Sequence, residues 1–148
     1  MSLSDTFEID ATKAKKGVPI RYSPDKDGNS PTFYVTHCAD DNPKYTRVLE
    51  EVTRPFRAEI AHGGRAFNDT AKRLFREAFI KGCLVTWEFV PLSDVTGNKK
   101  DEGYAEFSIE NATALFTRLP LLYKSLQEQA AGTELFKSEQ QLEDDVKN

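Results

Sequence analysis

The sequence predicts an α+β fold in which a small antiparallel sheet, formed by an N-terminal hairpin and a strand at Trp87, packs against several helices. Apolar and polar residues alternate through CLVTWEFV (83–90), a pattern typical of a half-buried strand. On either side of this segment apolar residues recur every three or four positions, which is typical of amphipathic helices. A content of 39% hydrophobic and 30% charged residues is that of a globular protein.

An N-terminal hairpin is predicted from two segments in which apolar and polar residues alternate, FEI (7–9) and VPIRY (18–22). The polar stretch DATKAKKG (10–17) between them is the expected turn. Turn-forming residues fill the next segment, SPDKDGNSP (23–31), and the β-branched and aromatic residues of TFYVTHC (32–38) then favour a third strand.

The turn segment also has the spacing of a calcium-binding loop, because Asp25, Asp27 and Asn29 stand at its first, third and fifth positions. Such a loop needs a glycine at its sixth position and a bidentate glutamate at its twelfth. Ser30 and Thr36 stand there instead. We therefore interpret the segment as a polar turn between strands.

Two helices are predicted before the tryptophan strand. The first begins after the capping residue Asn42 and runs to Ile60, with a kink at Pro55, which cannot donate a backbone hydrogen bond. The glycine pair in HGGR (62–65) then interrupts the helical pattern. A second helix is predicted over 68–81.

Two shorter helices are predicted after the strand, beyond a polar flexible loop over 91–103 and a short return strand over 104–107. Ser108 is a good N-cap for the first of them. This helix must end before Pro120, because the residue before a proline disfavours helical geometry. The second helix begins at the same proline, which is accepted in a first turn, and ends near Gly132.

We expect a single domain over 1–132, followed by a disordered acidic tail over 133–148. The tail holds five Asp and Glu against two Lys and few apolar residues. Residues 44–81 hold nine Lys and Arg against five acids, so the middle of the chain carries +4 and the tail −3. This asymmetry predicts that the tail competes with partners for the basic helices.

The residue pattern predicts that the protein is not an enzyme and has no metal or cofactor. His37 and Cys38 are neighbours on a predicted strand, so their side chains point to opposite faces and cannot pair as base and nucleophile. Cys38 and Cys83 have no CxxC spacing, and together with His62 they match no zinc motif. HGGR (62–65) lacks the lysine and preceding strand of a phosphate-binding loop.

The hydropathy of the chain predicts a soluble, intracellular protein. The segment MSLSDTFEID (1–10) has neither the basic region nor the apolar run of a secretory signal. No apolar stretch approaches the ~20 residues of a membrane span. The net charge of −4 disfavours nucleic-acid binding. The basic residues over 44–81 nevertheless leave an accessory nucleic-acid-binding protein as one weaker alternative function.

Two groups of residues are candidate interaction sites. One group flanks Leu119 and Pro120, which we call the Leu-Pro corner, and the other lies on the basic face of the second helix. An apolar stripe is more often core than groove, and a charged face is more often solvated than functional, so both alternatives stay open. We expect the first two leucines of the corner to pack inward and the other residues to face a shallow groove. The candidate partner-binding residues are Leu115, Leu119, Leu122, Tyr123 and Leu126. The candidate electrostatic docking residues are Lys72, Arg73 and Arg76.

The order of elements in the second half of the chain is distinctive. A strand with Trp87 is followed by a polar loop, a short strand, SIEN (108–111), the Leu-Pro pair at 119–120 and a leucine-rich helix. This order resembles the tail assembly chaperones of long-tailed bacteriophages. NPKYTRVLEEVTRPFRAEI (42–60) and the helix after it resemble the middle of the same family, so the likeness covers about residues 32–132.

The resemblance implies a function in binding. Members of this family are cytoplasmic phage proteins that bind the long tape measure protein and help tail-tube subunits polymerise around it. The chain would then bind the tape measure protein through its apolar helical surface in the host cytoplasm, with a tail-tube protein or a second copy of itself as further partners. The alternative is a small structural tail component of the virion, an adaptor or completion protein.

Overall fold

The computed structural model describes residues 2–137 and confirms the α+β prediction, with a three-stranded antiparallel sheet and helices before and after its strands. In that part of the chain no helix is both long and apolar enough to cross a membrane. The elements are, in chain order, α1 (Leu3–Phe7), α2 (Ala11–Lys16), β1 (Val18–Arg21), β2 (Thr32–Val35), α3 (Pro43–Thr53), a 3-10 turn (Arg54–Phe56), α4 (Arg57–His62), α5 (Arg65–Gly82), β3 (Leu84–Glu88), α6 (Leu92–Thr96), α7 (Ile109–Arg118), α8 (Pro120–Ala131) and a second 3-10 turn (Glu134–Phe136).

The sheet has the strand order β1-β2-β3, so consecutive strands are neighbours. Val18 of β1 is paired with Val35 of β2, and Phe33 of β2 is paired with Trp87 of β3. A bulge at Tyr34 and Val35 shifts the register of the second pair. Because Phe33 and Trp87 are both buried, this face of the sheet belongs to the core.

The predicted N-terminal hairpin is wrong in its first strand and its turn. FEI (7–9) contains the end of α1, and the predicted turn contains α2. Both helices have local caps that outweigh a three-residue alternation: Ser2 forms a capping box with Asp5, and the carboxylate of Asp10 accepts hydrogen bonds from the first turn of α2. The hairpin that forms joins β1 to β2 through the predicted polar turn.

The predicted first helix is interrupted at the expected proline. The side-chain oxygen of Asn42 accepts hydrogen bonds from the backbone N–H groups of Lys44 and Tyr45, which caps α3. This helix ends at Thr53, and the 3-10 turn that contains Pro55 separates it from α4. A proline cannot donate to the helical ladder, so the kink prediction is confirmed.

The helix α5 is longer than predicted, and it comes close to α3 at its last residue, Gly82. A Cβ atom added to this glycine would lie 3.0 Å from the Cα atom of Tyr45, which is tighter than ordinary van der Waals contact. The absent side chain therefore lets the two helix backbones approach each other.

The segment after β3, predicted as a flexible loop and a return strand, has more structure than expected. It contains α6, whose Val95 is buried and anchors an otherwise polar stretch. The return strand is reduced to an isolated bridge between Pro91 and Tyr104. The indole N–H of Trp87 donates to the carbonyl of Ala105 over 2.9 Å, which ties the segment to the sheet.

The Leu-Pro corner forms as predicted. The Ser108 hydroxyl accepts a hydrogen bond from the N–H of Asn111 and caps α7. Leu119, with φ −120° and ψ 70°, leaves helical geometry after this helix ends at Arg118. The next helix, α8, then begins at Pro120, where the missing N–H has no helical partner to lose.

The core lies between the sheet and the helices α5, α7 and α8. The indole of Trp87 meets the rings of Phe33 and Phe107 edge-on, with centroid distances of 5.9 and 5.2 Å. Such pairs add about 0.5–1.5 kcal/mol beyond the area that they bury. The bulkiest fully buried side chains are those of Phe33, Phe79, Phe116 and Phe136.

The disordered tail was predicted to begin at residue 133, which is too early in the chain. Glu134–Phe136 forms a 3-10 turn, and Phe136 is 0% exposed. Its carbonyl accepts the N–H of Asp10 over 2.6 Å, and its ring centroid lies 4.8 Å from that of His37. One large aromatic side chain is enough to dock a polar segment on the core. The remainder of the predicted tail, 138–148, lies outside the described residues.

Phe136→Ala is expected to lower the free energy of unfolding by about 3–5 kcal/mol, the usual cost of truncating a buried phenylalanine. Denaturant unfolding followed by the fluorescence of Trp87 measures the change. A chain that stops after Lys137 retains this side chain, whereas a chain that stops after Gly132 loses it and should lose at least as much stability as the point variant. Equal stability of the two truncated chains would contradict the core role of Phe136.

Candidate functional site

The predicted partner-binding residues divide between the core and the surface. Leu115 and Leu126 are 1% and 0% exposed and belong to the core. Leu119, Leu122 and Tyr123 are half-buried and pack against it from outside. The expectation that Leu115 packs inward is confirmed, and the expectation that Leu126 faces a groove is wrong.

The periodicity of α8 explains this correction. Leu122, Leu126 and Ala130 recur every four residues, so they share one side of the helix, and the last two are fully buried. Leu121 lies on another side and is 78% exposed. The sequence pattern identifies the two sides, but the neighbours that cover one of them come from distant parts of the chain.

Tyr123 lines a cleft of about 490 Å³ between α3, α5 and α8, which we call the helical cleft. Aromatic side chains make up much of its lining, and a lysine and small polar groups complete it. Its lining includes Cys38, Tyr45, Lys72, Phe75, Tyr123 and Gln127. The helical cleft thus contains one residue from each of the two predicted interaction sites, Tyr123 and Lys72.

The helical cleft combines a packed aromatic wall with an exposed aromatic residue. The ring of Tyr123 meets those of Phe79 and Phe116, with centroid distances of 5.6 and 5.7 Å. Phe75, one helical turn before Phe79 on α5, is 48% exposed. An aromatic residue left in water inside a concave site is typical of an interaction surface.

The predicted docking residues lie on two neighbouring faces of α5. Lys72 lines the helical cleft, whereas Arg73 and Arg76 border a second cleft of about 300 Å³ beside Ile109. The Arg73 guanidinium carbon lies 5.4 Å from the ring centroid of Phe56, within the range of a cation–π contact. In the described part of the chain no ion pair joins these three cations to a carboxylate.

Burial at the helical cleft favours the neutral form of its two tyrosines. It raises the pKa of Tyr123 to about 12, with the neighbouring charge of Arg76 opposing the shift. Burial, together with the nearby Cys38, also raises the pKa of Tyr45 above its usual value. Both phenols therefore stay protonated and can donate hydrogen bonds at neutral pH.

Two cysteines that are far apart in the sequence are both buried in the core. The Cys83 Sγ atom lies 4.0 Å from the carbonyl oxygen of His37, the residue before Cys38. Hydrogen bonds from Cys83, Tyr45 and Gln127 hold the pKa of Cys38 below its usual value. The hydrogen bond to Cys38, and then burial, raise the pKa of Cys83. No local motif indicates that Cys83 lies beside the end of β2, because a backbone hydrogen bond from the N–H of Thr36 to the carbonyl of Cys83 brings these segments together.

The other candidates for chemistry have structural partners. The calcium-like segment is a turn, as predicted, in which the Asp25 carboxylate accepts hydrogen bonds from two backbone N–H groups and from the Tyr104 hydroxyl. The Nδ1 atom of His37 lies 2.8 Å from an Asp41 carboxylate oxygen. Among the residues described, no three His, Cys, Asp or Glu side chains are placed to share a metal ion.

Leu126→Ser is expected to lower the free energy of unfolding by about 2–5 kcal/mol or more, because it leaves a cavity and a buried hydroxyl in the core. Leu121→Ser on the exposed side of the same helix is the matched control and should change it by no more than about 0.5 kcal/mol. Denaturant unfolding compares the two variants. Near-wild-type stability of Leu126→Ser would restore the groove assignment of this leucine.

Tyr123→Phe is expected to reduce the loss of stability at high pH. A tyrosine whose pKa rises on folding from 10.0 to about 12 contributes stability that is complete below pH 10 and disappears as the pH passes through 12. The variant lacks this titration. Tyr45 titrates in both proteins, so its contribution cancels when their unfolding free energies are compared. Unfolding free energies measured from pH 9 to 12 should therefore fall less steeply for Tyr123→Phe, and equal slopes would contradict the assignment.

The part of the chain that forms most of the helical cleft matches a known protein family. No curated protein and no solved structure matches the chain. Residues 40–148, more than half of the chain, match the family described as YdaY prophage protein. The matched stretch includes α3, α5 and α8. The chain therefore belongs to the YdaY prophage protein family and is a phage-derived protein.

Proposed function

We propose that this prophage protein is a tail assembly chaperone that binds an amphipathic helical segment of a tape measure protein in the helical cleft. The observation that carries the proposal is the exposure of Phe75, 48%, next to Lys72 and Tyr123 in a concave site. Covering apolar surface yields about 25 cal/mol per Å², so a partner that fills the cleft gains binding free energy from this side chain.

The chemistry of the helical cleft defines the segment that it would bind. Phe75 and Tyr123 provide apolar contact for large aliphatic or aromatic anchors. Lys72 favours a carboxylate beside those anchors, because charge complementarity orients the partner and raises its association rate. A helix with apolar residues at spacings of three and four and acids along one flank meets both requirements.

The phage origin of the family supports a role in assembling phage particles. The order of elements from α3 to α8, which resembles that of tail assembly chaperones, favours tail assembly within that class. A tape measure protein presents long amphipathic helices before the tube encloses it, and a cleft that covers them would limit aggregation. The proposed role is binding in the host cytoplasm without catalysis, and a tail-tube protein or a second copy of the chain could join the complex.

Phe75→Ser and Lys72→Glu are expected to weaken binding of the tape measure protein by about tenfold or more each, because a few anchors dominate such interfaces. The full-length chain is co-expressed with the tape measure protein of the same prophage, and soluble complex is quantified by affinity purification. The effect of Lys72→Glu should shrink at high salt, because added ions screen the charge.

Val85→Ser is the matched control, since Val85 on β3 is 46% exposed and lies outside the helical cleft. Each variant is first shown to unfold with the wild-type midpoint. Binding by all three variants at the wild-type level would place the surface elsewhere. Absence of a complex with the wild-type protein, together with its recovery from mature particles, would favour a structural tail component instead.

A further inference from the structure

The last described turn holds the chain at a fixed point beside the helical cleft. The ring of Phe136 is 0% exposed, and its centroid lies 4.8 Å from that of His37, the residue before Cys38 of the cleft. The carbonyl of Lys137 accepts a hydrogen bond from the Lys13 ammonium over 2.9 Å. The residues that follow this turn therefore leave the fold from an anchored position.

A second contact ties this position to α8. The N–H of Cys38 donates to the carbonyl of Ala130 over 2.8 Å, and Gln127, about one turn earlier on α8, lines the helical cleft together with Cys38. Phe136 packs against the neighbouring residue His37. The exit of the chain thus lies next to the part of the helical cleft that Cys38 and Gln127 line.

The chain continues after the anchored turn with SEQQLEDDVKN (138–148), eleven residues that hold four Asp and Glu against one Lys. Leu142 and Val146 are four positions apart, and Glu139 and Glu143 have the same spacing. In a helix the two apolar side chains would share one face, with these two acids along one flank of it. Apolar anchors with acids on one flank are the pattern that the helical cleft is expected to bind.

The tether between the anchored turn and these side chains is short. An extended chain spans about 3.3–3.6 Å per residue, so Leu142 reaches about 17 Å from Lys137 and Val146 about 30 Å. A short tether raises the effective concentration of a segment at its own chain into the millimolar range. Even weak docking of the segment therefore competes with a partner that must come from solution.

We infer that the segment 138–148 docks in the helical cleft of its own chain and competes there with the partner helix. Its two apolar side chains cover Phe75, which is 48% exposed, and its flanking acids lie beside Lys72. Opposite charges favour this arrangement, and added salt weakens it. The competition rests on the proposed chaperone function, whereas the docking depends only on the segment and the cleft.

Cross-linking with a carbodiimide tests the docking in the full-length chain without any partner. The reagent joins an amine to a carboxylate only where the two are in contact, and peptide mass spectrometry identifies the bond. The expected product links Lys72 to Glu139 or Glu143 within one chain. Its yield should fall by about threefold or more in about 1 M salt, because added ions screen the attraction.

Variants of the full-length chain separate specific docking from chance contact. Leu142→Ser combined with Val146→Ser removes the apolar anchors and is expected to reduce the cross-link to Lys72 by about threefold or more. The matched control combines Gln140→Ser with Asn148→Ser. These two positions lie on the opposite face of a helix, so the control should give the wild-type yield.

Binding of the tape measure protein of the same prophage tests the competition. The anchor variant, Leu142→Ser with Val146→Ser, is expected to bind it several-fold and up to about tenfold more tightly than the wild-type chain, because the competing segment no longer fills the cleft. A wild-type chain that gives the cross-link but does not bind the tape measure protein would refute the proposed function and leave the docking standing. A chain that binds without giving the cross-link would refute the docking alone.

Three further results would overturn the inference. Equal cross-link yields for the anchor variant and its control would show that the apolar side chains do not dock. Equal affinity of the anchor variant and the wild-type chain for the tape measure protein would remove the competition. Cross-links found only between chains, when isotope-labelled and unlabelled protein are mixed, would assign the cleft to the segment of a second copy.

Discussion

The close approach of α5 to α3 at Gly82 is the constraint on which the rest of the structure depends. The absent side chain brings Tyr45 of α3 against the end of α5, at the point where the chain turns into β3. One wall of the helical cleft comes from this tyrosine. A bulkier residue at this glycine would therefore disturb the helix pair and the helical cleft together.

Phe79 connects that helix pair to the second half of the chain. Its ring packs against Phe116 of α7 and Tyr123 of α8, with centroids 6.2 and 5.6 Å away. The Leu-Pro corner between these two helices sets the angle at which both rings reach it. The corner therefore serves mainly to close the core, although Leu121 beside it is largely exposed.

Features fixed by a few adjacent residues were predictable from the sequence. Asn42 caps α3, Pro55 interrupts the helical run and Pro120 starts α8, because each acts through its own backbone chemistry. Short amphipathic segments were less predictable: FEI (7–9) alternates like a strand, but its neighbour Ser2 caps a helix.

The site was the least predictable part, because tertiary contacts decide burial. Leu126 and Leu121 are both leucines of α8, yet one is fully buried and the other largely exposed. Lys72 and Tyr123 were both predicted as site residues, but nothing local shows that they line one cleft, or that Phe75 of the same cleft is exposed. The approach of Cys83 to the carbonyl of His37 is likewise invisible to spacing rules, since it is a tertiary contact.

The docking of Phe136 between α2 and the core has a consequence for folding during synthesis. The Asp10 N–H and the Lys13 ammonium bind carbonyls of Phe136 and Lys137, so one of the first helices is completed by the last described turn. These contacts cannot form until that turn has left the ribosome. While the residues between α2 and this turn are being synthesised, the nascent chain therefore lacks both hydrogen bonds, and the site in the core that Phe136 fills is empty.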